Sequence, residues 1–120
     1  MERDPRQWRT TPGRRTWIIL ANAHFGRLYR TDGHSIDWAV EQEWKNPNTE
    51  ELVAAIAGHL DRNQRLSSFQ ALMVVAPEPL LTALTGAFSE PVKQALEATV
   101  DRDLTTLETS AVARTVEGHP

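Results

Sequence analysis

The sequence predicts a single α/β domain on a partly parallel sheet with helices on both faces, and three observations carry that prediction. Phe69–Pro79, FQALMVVAPEP, holds five apolar residues without a break from Ala71 to Val75 and then stops at Pro77-Glu78-Pro79. A run of this kind, closed by prolines, is a strand buried on both sides. Trp17–Ala21, WIILA, is a second run of the same kind. Helical periodicity flanks the Phe69–Pro79 run on both sides, so helices can cover both faces of the sheet.

Taken in order, the chain opens with a leader over residues 1–15 that has two prolines, a glycine and no apolar period. Trp17–Ala21 is the first strand. Gly26–Thr31, GRLYRT, returns as the second strand of a hairpin after the short loop Asn22–Phe25. Thr31-Asp32-Gly33 is a turn. Ile36, Trp38, Val40 and Trp44 then share one face of a half-buried third strand, whose other face carries Asp37, Glu41 and Glu43; acidic side chains suit a sheet edge. Asn48 is placed to cap a helix from Thr49 to about Arg62, with Glu51 completing a capping box and Leu52, Val53, Ile56 and Leu60 on its core face. The fourth strand follows, and Pro79 then suits the first turn of a helix buried through Leu80, Leu81, Leu84 and Phe88. Ser89-Glu90-Pro91 breaks it. Leu96, Ala98 and Val100 alternate with polar residues as a fifth strand. Thr105-Thr106-Leu107-Glu108 reads as a capping box that opens a last helix to about Glu117.

No internal repeat emerges from this β-β-β-α-β-α-β-α order. Right-handed crossovers put the fourth strand beside the first and parallel to it, with the fifth outside the fourth. The resulting mixed five-stranded sheet, in the order 3-2-1-4-5, has the ribonuclease-H-like topology. Its expected core holds Leu20, Ile56, Leu60, Leu72, Val74, Val75, Leu81 and Leu84.

Composition narrows the class. The chain has 120 residues, 40% hydrophobic and 24% charged, enough for one domain with a core of its own. It has no cysteine, which excludes disulfides and thiolate metal sites and fits a reducing compartment. No apolar stretch has the roughly 18 residues of a membrane span, and the N-terminus lacks the hydrophobic core of a signal peptide, so a cytoplasmic domain is expected. The net charge of −3 is unevenly spread. Five arginines against Glu2 and Asp4 give residues 1–15 a charge of +3, leaving −6 on the rest.

Three ordered segments also resemble a known family. TWIILANAHFGRLYR, FQALMVVAPEPLLTALTGAF and VDRDLTTLE are similar to the opening strand and hairpin, the buried strand with its leucine-rich helix, and the closing segment of the bacterial host-attachment proteins. The resemblance runs from Thr16 to about Val116. It implies a host-attachment-family binding module and, through that family, a likeness to the middle domain of archaeal and eukaryotic peptide-release factors. Two departures stand out. The family's aspartate at the end of the first strand is Asn22 here, and all six glycines are isolated, so no Gly-Gly-Gln tip exists for peptidyl-tRNA hydrolysis.

The residues themselves offer little catalytic chemistry. Two-metal hydrolysis needs carboxylates converging at the ends of central strands, and the first strand has no acid from Thr16 through Ala21. Glu78, Asp101 and Asp103 are explained by a turn and a helix start. His24, His34, His59 and His119 show no metal-ligand spacing, and no P-loop, GxGxxG or nucleophile elbow is present. Trp17, Trp38 and Trp44 belong to strands and to core packing. The expectation is therefore a non-catalytic module with no cofactor or metal. Its partner would be a protein or polar ligand, and its oligomeric state is left open. A translation-associated domain touching ribosome or RNA is the alternative, disfavoured by the acidic body, and a metal-dependent hydrolase or nuclease is third. Ligands of open α/β sheets settle at the carboxyl ends of the parallel strands. That rule gathers Asn22, His24, Arg27, Glu78, Asp103 and Thr105 on one groove, with His24 placed to reach Glu78 and the helix after Pro79 offering free N–H groups to an anion.

Overall fold

A computed structural model describes residues 13–31 and 38–116. The parts of the expected leader and closing helix at 1–12 and 117, and the turn and strand start at 32–37, lie outside the described residues. The two apolar runs form adjacent parallel strands at the centre of the sheet, β1 (Thr16–Asn22) and β4 (Ala71–Val75), in register from Thr16 opposite Ala71 to Leu20 opposite Val75. β2 (Phe25–Thr31) lies antiparallel on the other side of β1. β3 (Ala39–Lys45) pairs antiparallel with β2 at one edge, and β5 (Leu96–Val100) pairs parallel with β4 at the other. The order is 3-2-1-4-5, as the sequence predicts.

Alternate residues of the central strands feed two cores. On one face Trp17, Ile19, Leu28, Leu72 and Val74 meet three helices, α1 (Thr49–Arg65), α2 (Leu80–Ala87) and α3 (Glu90–Ala95). On the other, Ile18, Leu20, Tyr29, Met73 and Val75 meet Leu104 and Val112, the latter from α4 (Thr109–Val116). The eight expected core residues are all buried. Gly26 faces α1: a Cβ there would lie 2.9 Å from Ile56 Cδ1 and 3.3 Å from Trp44 Cε3, so its bareness sets how closely α1 approaches the hairpin.

Local chemistry departs from the sequence reading in three places. β3 is largely exposed, and Trp38 and Trp44 lie on opposite faces of the sheet. Leu28 pairs with Gln42 but Tyr29 with Val40, so Glu41 is an extra residue at an irregularity in the ladder. One extra residue inverts the alternation beyond it. Trp38 then packs on Tyr29, ring centroids 5.5 Å apart, and Trp44 packs toward α1. Second, Ser89-Glu90-Pro91 does end α2, but Pro91 also sits in the first turn of α3, which buries Val92. Third, α4 starts at Thr109 rather than Thr105. Asp103 Oδ1 accepts from Thr105 N–H at 3.0 Å, a local side-chain bond that holds the segment in a turn and competes with helix.

Candidate functional site

Because β1, β4 and β5 are parallel, their carboxyl ends share one edge, where β2 also begins and β3 ends. Three small networks of polar side chains line it. In the first, Asn22 Nδ2 donates to Thr105 Oγ1 at 3.1 Å, while Asn22 Oδ1 accepts from His24 N–H at 2.9 Å. Thr105 Oγ1 in turn donates to Asp103 Oδ1. Asn22, Asp103 and Thr105 thus meet through their side chains and His24 joins them through its backbone N–H, and one asparagine ties the end of β1 to the β5–α4 connection.

The second network is separate. Glu78 Oε1 accepts from Thr82 N–H at 2.8 Å and from Thr82 Oγ1 at 2.9 Å, and Asp101 Oδ1 accepts from Glu78 N–H at 2.9 Å. Leu81 N–H donates to Pro77 O. The start of α2 therefore does not offer the open anion site expected of it: Glu78 places its own carboxylate on the Thr82 N–H, and Pro77 O takes the Leu81 N–H. Among the described residues no hydrogen bond or ion pair joins Glu78 to His24.

Arg27 belongs to a third group on the face shared with Tyr29. Its Nε donates to Glu43 Oε2 at 2.7 Å and its Nη1 to Tyr29 Oη at 3.3 Å, and its guanidinium lies 5.0 Å from the centre of the Phe25 ring. The Tyr29 hydroxyl first, then Glu43, raises its pKa above the ordinary arginine value against the opposing effect of burial. Glu43 as partner follows from the antiparallel register that sets it opposite Arg27.

Beside this group, His24, Phe25, Lys45, Asn46 and Pro47 line an open depression of about 410 Å³. Asn46 N–H donates to His24 O at 3.0 Å and locks the end of β3 onto the hairpin loop, and Thr49 Oγ1 donates to Ala23 O at 2.8 Å from the start of α1. Sequence reasoning found His24 but not Lys45, Asn46 or Pro47. The only signal for them was that a meander brings the end of its third strand back to its first loop. Among the described residues no three His, Asp or Glu side chains are grouped to hold a metal ion. Nor, among the described residues, is any helix long and apolar enough to cross a membrane.

The architecture defines a small α/β domain with a mixed five-stranded sheet and a polar carboxyl edge. The family of proteins required for attachment to host cells matches residues 19–116, and the chain belongs to that family. Eight solved chains are similar to it. One, described as an archaeal protein, superposes with a TM-score of 0.57 at 9% sequence identity, over 84% of this chain and 36% of its own, a likeness of fold alone. No curated protein matches.

Proposed function

We propose that the domain is a non-catalytic recognition module of the host-attachment family, and that its partner docks at the carboxyl edge of the sheet, on the depression between His24 and Lys45. One observation carries this reading: the polar groups of the rim divide into those already engaged and those turned to solvent. Asn22, Asp103 and Glu78 hold loops and a helix start through bonds to Thr105, His24 N–H and Thr82. Carboxylates engaged in this way act as structural acceptors rather than as a general acid or base. His24 and Lys45 are exposed beside Phe25 and Pro47. Two cationic or protonatable groups around an apolar floor suit a partner that presents a carboxylate or other acidic group next to an apolar one.

The test is retention of partners from host-cell extract by the immobilised domain, compared with His24→Ala and Lys45→Ala, together with co-sedimentation with ribosomes. We expect each substitution to lower retention of the specific partner about tenfold, the effect of losing one charge-assisted contact, with an unchanged melting temperature. Equal retention by all three proteins would remove the depression as the site. Ribosome co-sedimentation that falls steeply with salt would replace this reading with the translation-associated one.

A further inference from the structure

The edge strand β3 is exposed along nearly its whole length, and Trp44 is its one half-buried residue. Trp44 reaches the core by meeting His59 of α1 edge to face, ring centroids 5.4 Å apart at 77°. The imidazole of His59 also stacks on Trp17 of β1, at 5.8 Å and 18°. Although His59 as a residue is only partly buried, its Nε2 is shielded from solvent and has no hydrogen-bond partner among the described residues. A neutral imidazole tolerates this, because its proton can sit on Nδ1 and leave only a lone pair inside. An imidazolium has no such choice: both nitrogens carry hydrogen, and one N–H would be buried without an acceptor.

We propose that the Trp17–His59–Trp44 stack is an acid-sensitive latch that holds β3 against α1 when His59 is neutral and releases the edge strand when His59 takes up a proton. The charged groups facing His59 are Arg62, from its own helix, and Glu41, from β3. Arg62 disfavours a second positive charge, and Glu41, which favours one, is already paired with Arg30 at 2.8 Å. Stacking of an imidazolium on Trp17 would return some cation–π attraction. Burial first, and Arg62 second, set the pKa of His59 below the ordinary histidine value of 6.5. A histidine whose folded pKa is depressed adds stability above its unfolded pKa, and that stability is lost as pH falls through the folded value. The latch is therefore shut at neutral pH and opens in acid.

The experiment follows the His59 ring resonances and the backbone amide protection factors of the full chain from about pH 7.5 to about pH 5, in parallel with His59→Phe and His59→Gln. We expect the parent His59 to titrate below 6.5. We also expect β3 amides to lose protection in acid by about tenfold or more relative to β1 and β4, and both variants to lack that selective loss. A His59 that titrates at or above the ordinary value would overturn the latch. So would protection that falls equally in all strands, or an acid response that His59→Phe retains.

Discussion

At the carboxyl edge of the sheet, Asn22 shows how one residue can be informative in sequence and still change its meaning in the structure. Its place at the end of a buried parallel strand was legible, as were the nearness of His24, two residues on, and the arrival of Asp103 and Thr105 after the fifth strand. What the sequence could not show is that the asparagine spends both ends of its amide on internal bonds, Nδ2 to Thr105 and Oδ1 from His24 N–H. That depends on how the connection after β5 folds back. Asn22→Asp makes the consequence measurable. The substitution removes the donor to Thr105 and sets a second carboxylate beside a hydroxyl already committed to Asp103. At neutral pH it should cost about 1–3 kcal/mol, the range for a broken, partly buried hydrogen bond with an unfavourable charge nearby. A carboxyl group facing another has a raised folded pKa, so part of the loss should return as pH falls below that value. Denaturant titrations of both proteins at two pH values check it, and equal stability would mean that the tie contributes nothing.

Whole elements were easier to place than their ends. Strands with continuous apolar runs and the helix capped by Asn48 appear where expected: Asn48 Oδ1 accepts from Glu51 N–H at 3.0 Å at the start of α1. The capping box itself is altered, since Glu51 Oε2 accepts from Asn46 Nδ2 and Asn46 Oδ1 takes the Asn48 N–H. The irregularity at Glu41 could not be read, because an extra residue in one strand is defined only by its partner strand. The far end of α1 runs to Arg65, beyond the expected Arg62, and closes with Ser68 N–H donating to Asn63 O and Ser67 N–H to Gln64 O. This pair of bonds is a Schellman motif, and it puts Ser67 in the left-handed region at φ 57°. Glycine is the residue this position favours. Ser67→Gly should raise stability by about 0.5–1 kcal/mol, the left-handed strain relieved less the added freedom of the unfolded chain. Thermal unfolding measures it, and a fall in melting temperature would show that Ser67 makes a compensating contact.

Across the whole molecule the strand order was legible because two buried runs and right-handed crossovers leave few alternatives, whereas the unequal covering of the two faces was not. Three of the described helices pack on one side, and α3 was not legible because the proline in its first turn reads as a break. Arg14 and Arg15, which the charge pattern assigns to the leader, are part of the packed structure. Arg14 forms an ion pair with Glu97 of β5. Arg15 O accepts from Gln70 N–H at 2.8 Å and Ala71 N–H at 3.2 Å, and Arg15 N–H donates to Gln70 Oε1 at 3.0 Å. These bonds pin the start of β1 to the start of β4, the central parallel pair on which both cores are built. Backbone hydrogen bonds of this sort contribute about 0.5–1.5 kcal/mol each, whereas the half-exposed Arg14 pair adds less than about 1 kcal/mol. Two truncations separate the contributions. Removing residues 1–12, which have no apolar period, should leave the melting temperature within a few degrees. Removing residues 1–15 deletes every one of these contacts and should lower it by about ten degrees or more, at roughly 4–8 °C per kcal/mol for a domain of this size. A large drop on the shorter truncation would make the arginine-rich leader part of the fold, and no drop on the longer one would free the strand pair from its dependence on Arg15.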